Sequence, residues 1–265
     1  MMKFLIAAFI AITATQSAAF TATVNGVVRT ANIITGRGDC LIIALHGGGG
    51  SADGFEEKAD LHSMPEDCTI VIPDGIDNTW NAGDGKHDAD DMALMDYIIA
   101  AVGAERIYAT GLSRGGMMAY WLACNRDIDA IAVVASTLAG DCPDASGTDI
   151  LHIHGMDDQN VPYEGGSGDH TKPGNSWPPV EDGLNLIFGQ NNCATTPMNP
   201  IVTVDDRSEY SVDCANGTRV ELVLIENGGH AWPGSKRSLN QRLAGIYVCQ
   251  HLNATQYIAD FFSTH

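Results

Sequence analysis

The chain has 265 residues, 45% of them hydrophobic, which suits one large α/β domain with a substantial core; no linker or internal repeat divides it. Against 33 acidic residues there are only 14 Lys and Arg, and the formal net charge of −19 repels nucleic acid and anionic membrane surfaces and argues against both as partners. It also fits a saline habitat, although solubility alone accounts for it.

The first residues, Met1-Met2-Lys3, are positively charged and lead into the apolar run Phe4-Leu5-Ile6-Ala7-Ala8-Phe9-Ile10-Ala11-Ile12, with Ser17-Ala18-Ala19 at signal-peptidase spacing. The run is short for a membrane span, and no Cys follows it to carry a lipid. A cleaved leader over residues 1–19 is expected, ahead of a membrane anchor or a buried segment, with residues 20–265 as one catalytic domain secreted to the periplasm or medium. Residues 20–35 alternate apolar and small polar side chains around Asn25-Gly26, the pattern of an antiparallel pair at a sheet edge. Leu41-Ile42-Ile43-Ala44-Leu45 reads as a parallel strand covered on both faces. Thr69-Ile70-Val71-Ile72-Pro73 is the next such strand, opening into a loop over residues 74–88. Residues 90–102 have helical spacing, with Met92, Leu94, Met95, Ile98 and Ile99 on one stripe. Further strands are expected over residues 106–110, 128–135, 150–153 and 220–225, and a closing helix over about 244–262. Strands alternating with helices imply a doubly wound, mostly parallel sheet with helices on both faces and functional loops at the strand C-termini.

Between the strand at 106–110 and an apolar helical run stands Gly111-Leu112-Ser113-Arg114-Gly115. This is the Gly-x-Ser-x-Gly nucleophile elbow of an α/β-hydrolase: glycines allow a sharp strand-to-helix turn that leaves the serine oxygen exposed above the sheet. The N–H of Arg114 then lies at a helix N-terminus, where donors point outward and the dipole favours negative charge. Upstream, the strand at 41–45 ends in His46-Gly47-Gly48-Gly49-Gly50. A developing oxyanion needs backbone donors at close range, and Gly48 N–H with Arg114 N–H are the expected pair. A phosphate loop is disfavoured, because no Lys-Ser/Thr follows the glycines and no Gly-x-Gly-x-x-Gly opens a helix.

Downstream, His154-Gly155-Met156-Asp157-Asp158 follows the strand at 150–153, and Gly228-Gly229-His230 follows that at 220–225. A carboxylate can orient an imidazole, and the imidazole can take the serine proton. Two adjacent acids compete; Asp158 is taken as the acid and Asp157 as its solvated neighbour. His230, flanked by glycines, is the expected base, with His170 read as a loop residue and His251 as part of the closing helix. The order Ser, Asp, His is the one this fold uses. No metal or organic cofactor is expected.

Seven cysteines suit an exported chain. The preferred pairings are Cys193 with Cys214, flanking a hairpin-like excursion; Cys124 with Cys142, bracketing the strand after the elbow helix; and Cys40 with Cys68, each just before a parallel strand. Cys249 is left over. Spacing alone leaves small buried thiols open as the other reading.

With these residues in place the chain resembles the secreted polyhydroxybutyrate depolymerases and feruloyl esterases of the carbohydrate-esterase family 1 type. The likeness is carried by Leu45 through Phe55, Pro73-Asp74-Gly75, Thr79-Trp80-Asn81-Ala82-Gly83, Asp90-Asp91-Met92, the elbow through Tyr120, His154-Gly155 to Val161-Pro162-Tyr163, and Gly228 through Gly234. It implies Ser113, Asp158 and His230 as a triad, oxyanion amides near Gly48 and Arg114, the Cys193–Cys214 pairing, and an ester substrate. The first expectation is a hydroxyalkanoate polyester or its oligomers; the second is a feruloyl or acetyl ester on plant polysaccharide. Arg114 replaces the Asn or Ala common after the nucleophile and places a long cation at the expected mouth. Trp80, Trp177 and Trp232 are read equally as an aromatic wall for the acyl chain and as core packing. A serine peptidase of this fold would bring a propeller or cap for which no residues remain, and a non-catalytic binding protein would have lost one of the three triad residues.

Overall fold

The computed structural model describes residues 18–194 and 200–264; the expected leader, apart from Ala18 and Ala19, lies outside the described residues. The edge pair forms as β1 (Ala18–Val24) and β2 (Val27–Ile34), joined at Asn25-Gly26 with φ of 50° and 81°, the left-handed two-residue turn that matches strand twist. The ladder begins with Ala18 opposite Ile33, so a cut after about Ala19 falls in its first rungs.

The centre of the sheet is parallel: β4 (Cys68–Pro73), β3 (Cys40–Leu45), β5 (Arg106–Leu112), β6 (Ala130–Val134), β7 (Asp149–Gly155) and β10 (Arg219–Ile225), in that spatial order. The hairpin β8 (Val202–Val204) and β9 (Arg207–Asp213) extends it past β10, giving ten strands among the described residues. Six parallel strands in one sheet need cover on both faces. The side chains of β3 show how that is met: Leu41, Ile43 and Leu45 enter one core, Ile42 and Ala44 the other. The first core is closed by α2 (Asp91–Val102), α3 (Arg114–Ala123) and α4 (Val180–Gln190). The second is closed by α1 (Ala52–Ala59) and α6 (Ala254–Ser263). Caps fix several helix starts: Ser51, Asp90 and Asn253 each accept an N–H from the first turn.

All three expected disulfides are present, Cys40–Cys68, Cys124–Cys142 and Cys193–Cys214, and Cys249 remains a buried thiol. Cys40 and Cys68 are direct register partners at the starts of β3 and β4.

The expected closing helix over 244–262 is corrected. A short α5 (Leu239–Leu243) ends before Gly245, which takes a φ of 71°, and α6 starts only after its Asn253 cap. His251 therefore lies in the intervening loop, exposed beside Asp205 and Asp206. The strand expected over 128–135 is shorter, Ala130–Val134, and α1 and α4 were not anticipated. No helix among the described residues is long and apolar enough to cross a membrane.

Candidate active site

Because β5, β6, β7 and β10 run parallel, the loops leaving them emerge along one edge. Ser113 occupies the corner between β5 and α3 with φ 56° and ψ −119°, a region costly for any residue with a Cβ and held only when its surroundings impose it. A Cβ at Gly111 would overlap the Gly115 backbone, and one at Gly115 would overlap the carbonyl of Leu45, so both positions must be glycine. The corner is held by Ser113 N–H donating to Val134 O and by the Ser136 hydroxyl donating to Ser113 O. Ser113 sits where a cap would, but its hydroxyl makes no cap bond to α3. The side chain is half-buried.

The glycine loop passes against this corner. A Cβ on Gly47 would lie 3.6 Å from that of Ser113, and one on Gly48 3.7 Å from that of Arg114. Within the loop Gly49 N–H donates to Asn78 O and Gly50 N–H to Gly47 O, whereas among the described residues no backbone carbonyl takes the N–H of Gly48 or Arg114. Two neighbouring donors are thus left without a backbone-carbonyl partner among the described residues. His46, whose part in holding the glycine loop was not anticipated, fixes that loop: its Nδ1 meets Gly47 O at 2.8 Å and its Nε2 accepts from Gly75 N–H at 3.0 Å. Burial, the largest influence, lowers its pKa and keeps it neutral in that tautomer.

Of the two adjacent acids, Asp158 turns inward with a fully buried side chain and Asp157 stays in solvent. Asp158 Oδ1 accepts from the N–H groups of Asn160 and Val161 at 2.8 and 2.9 Å, and Oδ2 meets His230 Nδ1 at 2.7 Å. Burial alone would raise the pKa of this carboxyl. The charge and hydrogen bond of His230, with smaller help from His154 and the Val161 amide, outweigh burial and hold it below the ordinary carboxylate value. The His230 loop is set by backbone packing of Gly228 on Gly155. Among the hydrogen bonds of the described residues none joins Ser113 to His230: the Asp158–His230 link is made and the Ser113–His230 link is open, with β6 and β7 separating the strands that lead into the two residues. A cavity of ≈ 360 Å³ lies beside His230, bounded in part by Asp157, Gln159, His170 and Tyr247.

Two of the three tryptophans are corrected. Trp80 is 0% and Trp232 1% exposed; Trp80 Nε1 donates to His46 O and Trp232 Nε1 to Thr255 Oγ1, with its ring on the edge of Phe55. Both are core residues, and neither offers a face to an acyl chain. Trp177 remains half-buried, with Lys86 Nζ 3.7 Å above its ring. The expected cation at the mouth is also corrected. The Arg114 guanidinium is folded away and forked onto Asp84 at 2.6 and 2.7 Å, with Nε on Trp80 O at 2.8 Å. Asp84, which sequence reasoning passed over, is desolvated, but the Arg114 fork outweighs burial and keeps its pKa low. Among the described residues no group of three or more His, Cys, Asp or Glu is arranged to hold a metal ion.

No protein-family model matches the chain. It is 29% identical over 227 residues to a putative esterase, NocK, of Nocardia uniformis subsp. tsuyamanensis, covering 73% of this chain and 65% of that one. It is 37% identical over 144 residues to a probable feruloyl esterase C of Aspergillus terreus, covering 48% and 51%. The chain thus spans about half to two-thirds of the length of these relatives. Among solved structures, the acylaminoacyl peptidase of Pyrococcus horikoshii superposes with a TM-score of 0.56 at 14% identity, covering 94% of this chain and 41% of that one. A cold-adapted esterase from an Arctic intertidal metagenomic library gives 0.51 at 15% identity, covering 92% and 93%. Taken with the sheet order and the elbow, these likenesses establish that the chain has the α/β-hydrolase fold.

Proposed function

We propose that this chain is a secreted serine esterase with residues 20–265 as its catalytic domain. Ser113 is the nucleophile, His230 the general base, Asp158 the residue that orients it, and Gly48 and Arg114 N–H the oxyanion donors. The observation that carries the reading is the strained Ser113 corner on the same strand-end edge as a buried Asp158 hydrogen-bonded to His230. Ser113 Oγ adds to the ester carbonyl as its proton passes to His230 Nε2. The C–O bond to the alcohol then breaks as the proton moves to the leaving oxygen, and water repeats the sequence to release the acid and regenerate the hydroxyl. Asp158 stays anionic throughout and stabilises the imidazolium. The open Ser113–His230 link is consistent with this order, because such hydrogen bonds commonly tighten only when substrate fills the site.

The acyl group is read as phenolic, with hydroxyalkanoate polyester as the second class. What supports that order is that relatives at 37% and 28% identity bear the name feruloyl esterase; burial of Trp80 and Trp232 takes away most of the aromatic wall expected for either acyl group. Trp177 is the remaining aromatic candidate for the acyl face. Export is supported by three disulfides, which persist in oxidising compartments. The test is hydrolysis of short p-nitrophenyl esters by wild type and Ser113→Ala, followed by methyl ferulate against hydroxybutyrate oligomers. Wild type should be active and Ser113→Ala should lose at least about 10³-fold in kcat. Equal rates for the two proteins would refute the mechanism, and faster turnover of the oligomers would reverse the substrate order.

A further inference from the structure

Strand β7 lies between β6 and β10, covered on both faces, and carries His152 and His154 two residues apart on one face, 0% and 1% exposed. Burying two imidazoles in a sheet core is costly unless every ring nitrogen is partnered. Here each one is. Tyr120, itself buried on α3, places its hydroxyl 2.7 Å from His152 Nδ1. His152 Nε2 lies 3.0 Å from His154 Nδ1, the two rings stacked with centroids 5.2 Å apart. His154 Nε2 lies 2.9 Å from Val161 O.

The directions of these bonds follow from the last one. A carbonyl oxygen only accepts, so His154 carries its proton on Nε2. A neutral imidazole has one N–H, so His154 Nδ1 accepts from His152 Nε2–H, and His152 Nδ1 in turn accepts from the Tyr120 O–H. Burial lowers the pKa of both histidines and raises that of Tyr120, so charged forms do not compete. The chain ends on the acid turn. The peptide N–H of Val161 donates to Asp158 Oδ1, while the carbonyl of the same residue is gripped by His154. His154 Nε2 also stands 3.7 Å from Asp158 Oδ2, the oxygen that meets His230. Tyr163 packs edge-on against the His154 ring.

We propose that Tyr120, His152 and His154 form a positioning relay, a one-way series of hydrogen bonds from the elbow helix to the acid turn that sets the angle at which Asp158 meets His230. The proposal rests on the triad reading given above. The three residues touch neither substrate nor reacting atoms; they act through Val161 and Asp158.

Two substitutions at one position separate this role from packing. In His154→Gln the amide nitrogen reaches the place of Nε2 and retains the grip on Val161 O. In His154→Asn the side-chain oxygen occupies the place of Nδ1, retaining the bond from His152 but releasing the turn. Both variants thin the core. If the relay positions Asp158, His154→Asn loses about 100-fold in kcat on a p-nitrophenyl ester with KM within about threefold, the scale of a slightly misplaced catalytic group, and His154→Gln recovers to within about tenfold of wild type. Kinetics are measured well below each variant's thermal midpoint. Equal kcat values for Asn and Gln, or a loss confined to KM, would overturn the relay. Long-range ¹H–¹⁵N spectra of the wild type provide a check that does not depend on either variant folding: both buried histidines must be Nε2–H tautomers, and an Nδ1–H signal from either ends the proposal. The two readings fail differently. An inactive wild type, or an active Ser113→Ala, removes the triad and the relay together; an active wild type with unchanged His154→Asn kinetics removes the relay alone.

Discussion

The Arg114–Asp84 ion pair beside the Ser113 corner offers the sharpest energetic test. Arg114 and Asp84 side chains are 7% and 5% exposed, so neither charge can turn to water when its partner is removed. In Asp84→Ala the guanidinium keeps only Trp80 O and a 3.7 Å contact to Met117 Sδ, while Lys86, which stood 3.7 Å from Asp84, still has water and the Trp177 ring. An orphaned buried charge of this kind costs about 3–5 kcal/mol. At roughly 2–4 °C per kcal/mol for a chain of this size, the midpoint should fall by about 6–20 °C. Replacing both partners, Arg114→Met with Asp84→Leu, should recover most of that loss, because desolvation of the pair disappears with it. Guanidinium titration with linear extrapolation gives both differences. A loss below about 1 kcal/mol in Asp84→Ala, the range of solvent-exposed pairs, would refute the reasoning. The double variant also bears on chemistry: if Arg114 serves through its peptide N–H, ester hydrolysis survives within several-fold. A folded but inactive double variant would show that the Arg114 side chain is needed for turnover, not its peptide N–H alone.

Asp158→Asn should fold, since its two backbone donors still meet an oxygen, yet lose on the order of 10³–10⁴ in kcat because the amide no longer selects the productive His230 tautomer; near-wild-type turnover would dismiss Asp158 as the orienting acid. Acidification should also destabilise the fold through the buried histidines. His152 and His154 have native pKa values lowered by burial, whereas the unfolded chain takes up protons near pH 6.5. Their contribution to stability is therefore whole above about pH 6.5 and is lost as the pH falls below it. A histidine that takes up no proton in the native state accounts for about 1.4 kcal/mol between pH 7.5 and 5.5. Urea titrations should then show a decline shallower by that amount in His152→Gln than in wild type, and parallel curves would mean that native His152 binds a proton.

What sequence could reveal here depended on how local the physical cause was. The elbow was legible because its glycines answer to steric limits within five residues, and the strand ends carrying Asp158 and His230 were legible because buried parallel strands are continuous apolar runs. The Cys40–Cys68 bridge followed from the same runs, since both residues open neighbouring strands. Contacts between distant segments left no such trace. Arg114 and Asp84 are 30 residues apart, Tyr120 and His152 are 32 apart, and His46 reaches Gly75 across 29. Two signals were nevertheless present. Arg114 stands in an apolar helical run, where a cation needs an acid, and two histidines at alternate positions of a core strand need partners on the same face. The closing helix was misread because apolar spacing continues through 244–262 although the left-handed turn at Gly245 interrupts the helix.

Both unanticipated networks start from α3, and this bears on how a strained corner can be kept. Holding Ser113 in an unfavourable backbone region requires its surroundings to over-determine it. The first residue of the helix is anchored through Arg114 to Asp84 and Trp80 O, tying the corner to the loop that also bonds Gly49 through Asn78 O. Two turns on, Tyr120 anchors the same helix to β7 through His152. A ten-residue helix thus binds the glycine loop at its start and the acid turn near its end. If α3 shifts, the proposed oxyanion donors and Asp158 are disturbed together rather than separately. Substitutions at Asp84 and at His154, which have no hydrogen-bond partner in common, should therefore be non-additive in kcat while remaining additive in stability. Additive effects on both would mean that the corner is held by the glycine packing alone.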